Sequence, residues 1–308
     1  MSEIQYKDYW FNYVLNANPP QIKNIIKEVY IISEGNKIHL DIYNDESKNL
    51  NKTILFIHGT SVYSRFYAEF LYNLFQKGYR IVAPDLIGHG KSEGKRGHFT
   101  MEMFTQVIYD VTTFIINKYG DNVSVMGSSL GGITSLYCAA NDQRLKAAVC
   151  HNAAIFNEDA YKKIIKIKAI LKLLVPLVPF FAKITPKLRL SVYLYLDFEE
   201  LAQTDKFLER IDLLLEDEIL SDKYSLSAIK TQMRAPLAKP IEEIDIPIMI
   251  IVGSEDNLFS VEYMEEIYER LTHKERALEV LEGASHLIFQ EHIEESLKRI
   301  IPWLEKVI

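Results

Sequence analysis

Cysteine is nearly absent from the 308 residues: only Cys138 and Cys150 occur, each in an apolar run. Such a pair fits buried free thiols in a reducing compartment better than a disulfide framework. No uncharged apolar run reaches the roughly 18 residues that a membrane-spanning helix needs. The opening segment MSEIQYKDYW has no basic start followed by an apolar core, so no secretory signal is read there. A surplus of basic residues is missing too. The formal net charge is −7, which argues against a general nucleic-acid binder, because phosphate contacts need basic surface. Clustered metal-ligand spacing such as H-E-x-x-H is not found, and neither a metal nor any other cofactor is expected. The expected compartment is the cytoplasm, with peripheral membrane contact left open.

What the chain has is apolar content, 48% of its residues, enough for a large buried core. Short β-rich runs alternate with helical ones. EVYIIS and KIHLDIY flank the turn EGN and read as a hairpin. TILFIH, RIVAP, NVSVM, LKAAVC, PIMIIVG and ALEVL read as strands. Between them, helical stretches are expected near residues 67–77, after Thr100 as N-cap, over SLGGITSLYCAAN, before ALEVL, and from His286 onward. The second of these stretches sets Phe104, Val107, Ile108, Val111, Phe114 and Ile115 on one helix face. Alternation of this kind predicts a mostly parallel sheet covered on both faces. Residues 152–240 break it, with helical patterns and prolines but no convincing strand. That segment reads as a helical insertion placed after a strand end, where ligand sites of open α/β sheets gather. The core is then residues 1–151 and 241–308.

The stretch VMGSSLGG holds two adjacent serines. Gly127-Ser128-Ser129-Leu130-Gly131 matches G-x-S-x-G with Ser129 at its centre. In that arrangement a sharp strand-to-helix turn exposes the central hydroxyl above the sheet, and the flanking glycines let the backbone close up. Ser128 fails this register, having Met126 and Leu130 at the same offsets. The plain alternative is a small-residue packing turn. A serine nucleophile needs a base and an orienting acid, in the chain order Ser, acid, His on such a sheet. His286, in LEGASHLIF between a strand end and the last helix, is the candidate base. His273 and His292 are expected to be solvated, and His151 to line the site without acting as base. Asp256, in the loop IIVGSEDNLFS, is favoured over Glu255 as the acid; helix capping is its alternative role. The oxyanion donors expected are the amides of Thr60, in FIHGTSVYS, and of Leu130. His58 is read as structural.

With these residues in place the chain resembles the α/β-hydrolases of the monoacylglycerol lipase and lysophospholipase group, which also holds serine aminopeptidase-like members. The resemblance rests on HGT at 58–60, PDLIGHGKSEGKRGHF at 84–99, GSSLGG at 127–132, IPIMIIVGSEDNLFS at 246–260 and EGASHLIFQE at 282–291. It runs from about Val29 onward and is weakest in the insertion. It implies an α/β-hydrolase fold with a helical cap over the serine, structural roles for Asp85 and His89, and hydrolysis of esters with one acyl chain. A peptidase or amidase on the same triad and a catalytically silent ligand-binding member remain alternatives.

The insertion has its own charge pattern. Residues 160–196 hold eight Lys or Arg and no acid, around AILKLLVPLVPFFAKI. Residues 197–222 hold ten acids against Lys206 and Arg210. Either the halves pair with each other, or the basic, apolar half faces a membrane surface or an amphiphilic substrate. Pro176 and Pro179 are expected to break any long lid helix. The partner expected is thus a small ester or lipid, not nucleic acid. The aromatic segment YKDYWFNYVL packs on the core or touches the insertion, with nothing in the residues to decide.

Overall fold

The computed structural model describes residues 8–44, 50–164 and 175–308. Strands β1 (Ile26–Ser33) and β2 (Asn36–Tyr43) form the expected hairpin, with Ser33 paired to Asn36. Its two turn residues, Glu34 and Gly35, both have positive φ (50° and 70°), the backbone that a two-residue hairpin turn demands. The sheet continues with β3 (Thr53–Ile57), β4 (Arg80–Pro84), β5 (Val123–Ser128) and β6 (Ala148–His151). Two late strands complete it, β9 (Ile248–Gly253) and β10 (Ala277–Leu281). The eight strands lie in the order β1-β2-β4-β3-β5-β6-β9-β10. Only β1–β2 and β2–β4 are antiparallel. Every residue of β3, β4, β5, β6 and β9 is buried, which is why these strands read as continuous apolar runs and not as alternation.

The chain runs outward from β3 to β4, then returns to lay β5 on the other side of β3. Strand order therefore reverses between β3 and β5. Sheets of this type bind ligands in the crevice beyond the carboxyl ends at such a reversal. The turns that leave those two ends carry Thr60 and Ser129.

Helix Met101–Tyr119 starts where expected: the Thr100 side chain accepts the Met103 amide at 3.3 Å. It buries Phe104, Val107, Ile108, Val111 and Ile115, while Phe114 is half-buried at the edge of that face. The helix after β5, Leu130–Asn141, is buried through Ala140. The last helix begins later than its apolar pattern suggested. His286 lies in a bend, a short turn spans Ile288–Glu291, and the main helix is Ile293–Val307. His292 separates the two with a non-helical backbone (φ −125°, ψ 44°).

Residues between β6 and β9 form short helices, among them Val178–Ile184 and Leu226–Arg234. The reading of this insertion as strand-free is corrected. Strand β7 (Arg189–Ser191) pairs antiparallel with β8 (Lys223–Ser225). Three-residue strands are too short to show a period of two. Pairing between the charged halves is not seen either. Among the described residues, no ion pair joins 160–196 to 197–222; Lys162 pairs with Asp159 and Lys163 with Glu266. Lys166, Lys168 and Lys172 lie outside the described residues.

The aromatic N-terminal segment touches both neighbours. Trp10 and Tyr13 are buried, and the Tyr13 ring lies 5.0 Å from that of Phe66. The Tyr13 hydroxyl donates to Asp217 Oδ2 at 2.8 Å, and Arg210 donates to the Asn12 carbonyl at 3.1 Å. Cys138 and Cys150 are free and buried, and burial pushes both thiols well above their ordinary range. Among the described residues, no helix is long and apolar enough to cross a membrane.

Candidate active site

The turn after β5 is as tight as its glycines suggest. A Cβ on Gly127 would stand 2.1 Å from the Gly131 carbonyl oxygen, and one on Gly131 would stand 2.1 Å from that of Ile57. Only hydrogen fits at either place. Ser129 between them takes φ 56° and ψ −119°, a conformation that costs an L residue of order 1–3 kcal/mol. Its amide donates to the His151 carbonyl at 2.9 Å and its carbonyl accepts from Ile133, so both ends of the strained residue are fixed. The two serines then part company. Ser129 is partly exposed and lines a cleft, whereas Ser128 is 4% exposed and its Oγ lies 2.8 Å from His151 Nδ1.

The loops after β9 and β10 bring Asp256 and His286 together. His286 Nδ1 donates to Asp256 Oδ2 at 2.8 Å, and the acid's side chain is fully buried. Asp256 Oδ2 also accepts from Asn152 Nδ2 at 3.2 Å. Oδ1 accepts the amides of Leu258 and Phe259 at 2.8 and 3.0 Å. Burial pushes this carboxyl up, but the charge and hydrogen bond of His286, with the Phe259 amide, bring it down to about 2. The expected capping alternative is thus also present: the acid caps the backbone and holds the histidine. With Nδ1 committed as a donor, Nε2 of a neutral His286 is left as an acceptor. The Phe259 ring lies parallel to His286 at 5.8 Å and forms part of the cleft wall.

Of the other candidates, His151 alone adjoins this pair. Glu255 is exposed and meets Gln203 at 3.4 Å. His273 and His292 are half-buried, not freely solvated; His273 Nδ1 accepts the Glu275 amide and His292 Nε2 donates to Gln203 Oε1. His151 is buried with its ring 5.2 Å from that of His286.

The loop after β3 is held on all sides. The Gly59 amide donates to the Tyr67 hydroxyl at 3.2 Å, and the Ser61 amide to that of Tyr224 at 2.8 Å. Between these engaged amides stands Thr60, which lines the cleft with Ser129 and Leu130. Leu130 opens its helix, so its amide has no partner within the helix. His58 is structural, as expected: Nδ1 donates to the Gly59 carbonyl, and Nε2 accepts the Leu86 amide at 3.0 Å. Burial lowers its proton affinity and keeps the ring neutral. Asp85 gathers its own loop by accepting from the amides of Ser64 and Lys91 and from His39. Burial opposes its charge, but the His39 cation and hydrogen bond hold it well below the usual carboxylate range. His89 donates from Nδ1 to the Ile87 carbonyl and accepts the Tyr224 hydroxyl at 2.9 Å on Nε2.

Tyr224 belongs to the insertion, and it is not the only such tie. Ser221 and Ser61 exchange two hydrogen bonds, at 2.8 and 3.0 Å. On the opposite side, Ser285, next to His286, donates from its hydroxyl to the Leu201 carbonyl and from its amide to Gln203 Oε1. Nothing in the sequence marked Tyr224, Ser221, Gln203 or Ser285. Their partners stand about 80 to 160 positions away, and no motif spans such a gap.

The cleft over Ser129 is partly open to solvent and largely apolar, with Ile133, Phe156, Ile164, Leu196, Leu258 and Phe259 on its walls. Thr60, Ser129, Tyr161, Tyr195 and Gln232 also line it; among the described residues that line it, none is acidic. The arrangement offers a serine in strained backbone and an amide at a helix start on an apolar cleft, with a histidine that is held by a buried carboxylate and stacked on the cleft residue Phe259.

Comparison with known proteins agrees with this architecture. The family model described as serine aminopeptidase, S33, matches residues 48–293. A monoglyceride lipase homolog from monkeypox virus is 24% identical over 265 residues, covering 82% of this chain and 89% of its own. The crystal structure of a monoacylglycerol lipase from Paleococcus ferrophilus is 26% identical and superposes with a TM-score of 0.73 over 88% of this chain and 99% of its own. A soluble variant of monoglyceride lipase from Saccharomyces cerevisiae, in complex with a substrate analog, shares the fold at 17% identity. Its TM-score is 0.74 over 99% and 98% of the two chains. With the family match running from before β3 to the start of the last helix, this chain belongs to the serine aminopeptidase S33 family and is an α/β-hydrolase of the lipase and esterase type.

Proposed function

We propose that the chain hydrolyses carboxylic esters bearing one acyl chain, a monoacylglycerol or a lysophospholipid, through Ser129, His286 and Asp256. The observation that carries this reading is the 2.8 Å bond between His286 and the fully buried Asp256 carboxylate; Phe259, stacked on His286, shares an apolar cleft with Ser129, whose backbone is strained. Ser129 Oγ attacks the ester carbonyl while His286 Nε2 takes its proton. The amides of Thr60 and Leu130 hold the oxyanion; one such donor contributes about 3–4 kcal/mol to the barrier. Collapse expels the alcohol, which leaves with the proton from His286. Water then gives a proton to His286, attacks the acyl-enzyme and releases the acid. Asp256 keeps the Nδ1 proton in place and offsets the charge on His286.

Ester is favoured over peptide because, among the described residues, the cleft lining has no carboxylate to hold a substrate's amino terminus. A screen over monoacylglycerols, lysophospholipids and simple esters of graded length, with aminoacyl-naphthylamides beside them, tests this. Each methylene buried is worth about 0.8 kcal/mol, so kcat/KM should rise by up to about fourfold per carbon until the cleft is filled. A preference for the naphthylamides would reverse the assignment.

In this reading residues 152–240 act as a cap whose basic, apolar part meets the lipid surface. Leu177, Phe180, Phe181, Ile184 and Leu188 are each 47–62% exposed, among the exposed Lys183, Lys187 and Arg189. Basic residues near an anionic surface contribute about 1 kcal/mol each. Vesicle cosedimentation should show stronger binding to anionic than to neutral vesicles, weakened by salt. Charge removal at Lys183 and Lys187 should lower it by about tenfold or more. Equal binding to both vesicle types, insensitive to salt, would sink the electrostatic part.

A further inference from the structure

The buried histidine beside the acid–base pair has no task in the scheme above. His151 is fully buried, and its Nε2 has no hydrogen-bond partner. A ring nitrogen of His151, a carboxylate oxygen of Asp256 and a ring nitrogen of His286 lie within 4.8 Å of one another. Behind His151 stands Ser128, whose Oγ lies 2.8 Å from His151 Nδ1. That bond fixes the ring that abuts His286.

The proton on His151 can be placed by elimination. Burial, aided by the neighbouring His286, pushes this histidine down to about 3, so the ring is neutral and carries one N–H. If that proton sat on Nδ1, the buried Nε2 would be a bare lone pair with no donor to meet. If Ser128 donates to Nδ1, the proton sits on Nε2. The second arrangement gives the Ser128 hydroxyl an acceptor and puts an N–H dipole in a cluster that holds a carboxylate. The titratable groups of that cluster are Asp256 and His286.

We propose that His151 is a positioning residue: oriented by Ser128, it turns its Nε2–H dipole toward the Asp256 carboxylate and keeps that carboxylate aligned on His286. The proposal rests on the reading of Ser129, His286 and Asp256 as the reacting set. Its test is the steady-state hydrolysis of a p-nitrophenyl ester by His151→Phe, His151→Gln, Ser128→Ala and the pair Ser128→Ala with His151→Phe. His151→Phe keeps the ring volume and should lower kcat by about tenfold to a hundredfold, the range that outer partners of metal-bound histidines contribute. KM should stay within about twofold, since His151 is not in the cleft lining. Losing the dipole leaves more negative charge on Asp256, which raises the proton affinity of His286. The acid limb of the pH profile should therefore move to higher pH. His151→Gln restores a donor and should return both kcat and the limb most of the way. In the His151→Phe background, Ser128→Ala should add nothing, because the two act in series.

An unchanged pH profile with a lower melting temperature would reduce His151 to packing and overturn the proposal. So would additive losses at Ser128 and His151. If His151→Phe does not fold, Ser128→Ala and His151→Gln carry the same test through their pH profiles. Fluorophosphonate labelling of the unmodified protein separates the two levels. Label on Ser129 with an inert His151 removes only this proposal, whereas no label on Ser129 removes the reacting set and the proposal with it.

Discussion

Ser129→Ala should abolish hydrolysis of short-chain p-nitrophenyl esters, by at least about 10³-fold, while Ser128→Ala stays within about tenfold of the unmodified protein. Adjacent serines make this a sharp comparison. Alanine keeps the Cβ of serine, so the strained backbone at φ 56° is no worse for either residue and the fold should be intact. What differs is where each hydroxyl points. That of Ser129 faces the cleft, and that of Ser128 is committed to His151. Activity that survives Ser129→Ala and vanishes with Ser128→Ala would overturn the glycine register. Melting curves of both variants check that any loss is chemical.

Asp256→Asn should cost about 10⁴-fold in kcat, the scale found when a triad carboxylate becomes an amide. The hydrogen bonds around Asp256 say why. Oδ1 accepts two backbone amides, so an NH₂ placed there would oppose two donors that cannot move. The amide nitrogen must sit at the Oδ2 position, where it faces His286 Nδ1 and the Asn152 side chain. From there it donates to Nδ1 and drives the His286 proton onto Nε2. That tautomer cannot accept the serine proton. The variant should fold and bind substrate with KM little changed. A KM rise with kcat intact would assign Asp256 to the substrate instead.

The legible part of the site is the part set by short-range necessity. Gly127 and Gly131 have no room for a Cβ, so the elbow is written into five consecutive residues. Asp256 lies just beyond the buried strand β9 and His286 just beyond the half-buried β10, and both strands announce themselves by their apolar runs. The Thr100 cap and the Glu34-Gly35 turn were legible for the same local reason. The ties of Tyr224 to Ser61 and of Gln203 to Ser285 were not, because each is a bond between distant segments with ordinary side chains. Strands β7 and β8 escaped because three residues hold no period. The role of His151 was half-legible: its strand end placed it near the site, but only folding sets Ser128 against its ring.

Asp217 bears on how such proteins can be recombined. Its carboxylate accepts hydroxyls from Tyr13 and Tyr63 at 2.8 Å each, joining the first described turn, the loop after β3 and the insertion at one buried point. A graft that moved residues 152–240 alone into a related scaffold would cut two phenol contacts and strand a carboxylate inside. The unit that can be exchanged is discontinuous, and the aromatic turn at Tyr9–Tyr13 has to travel with it.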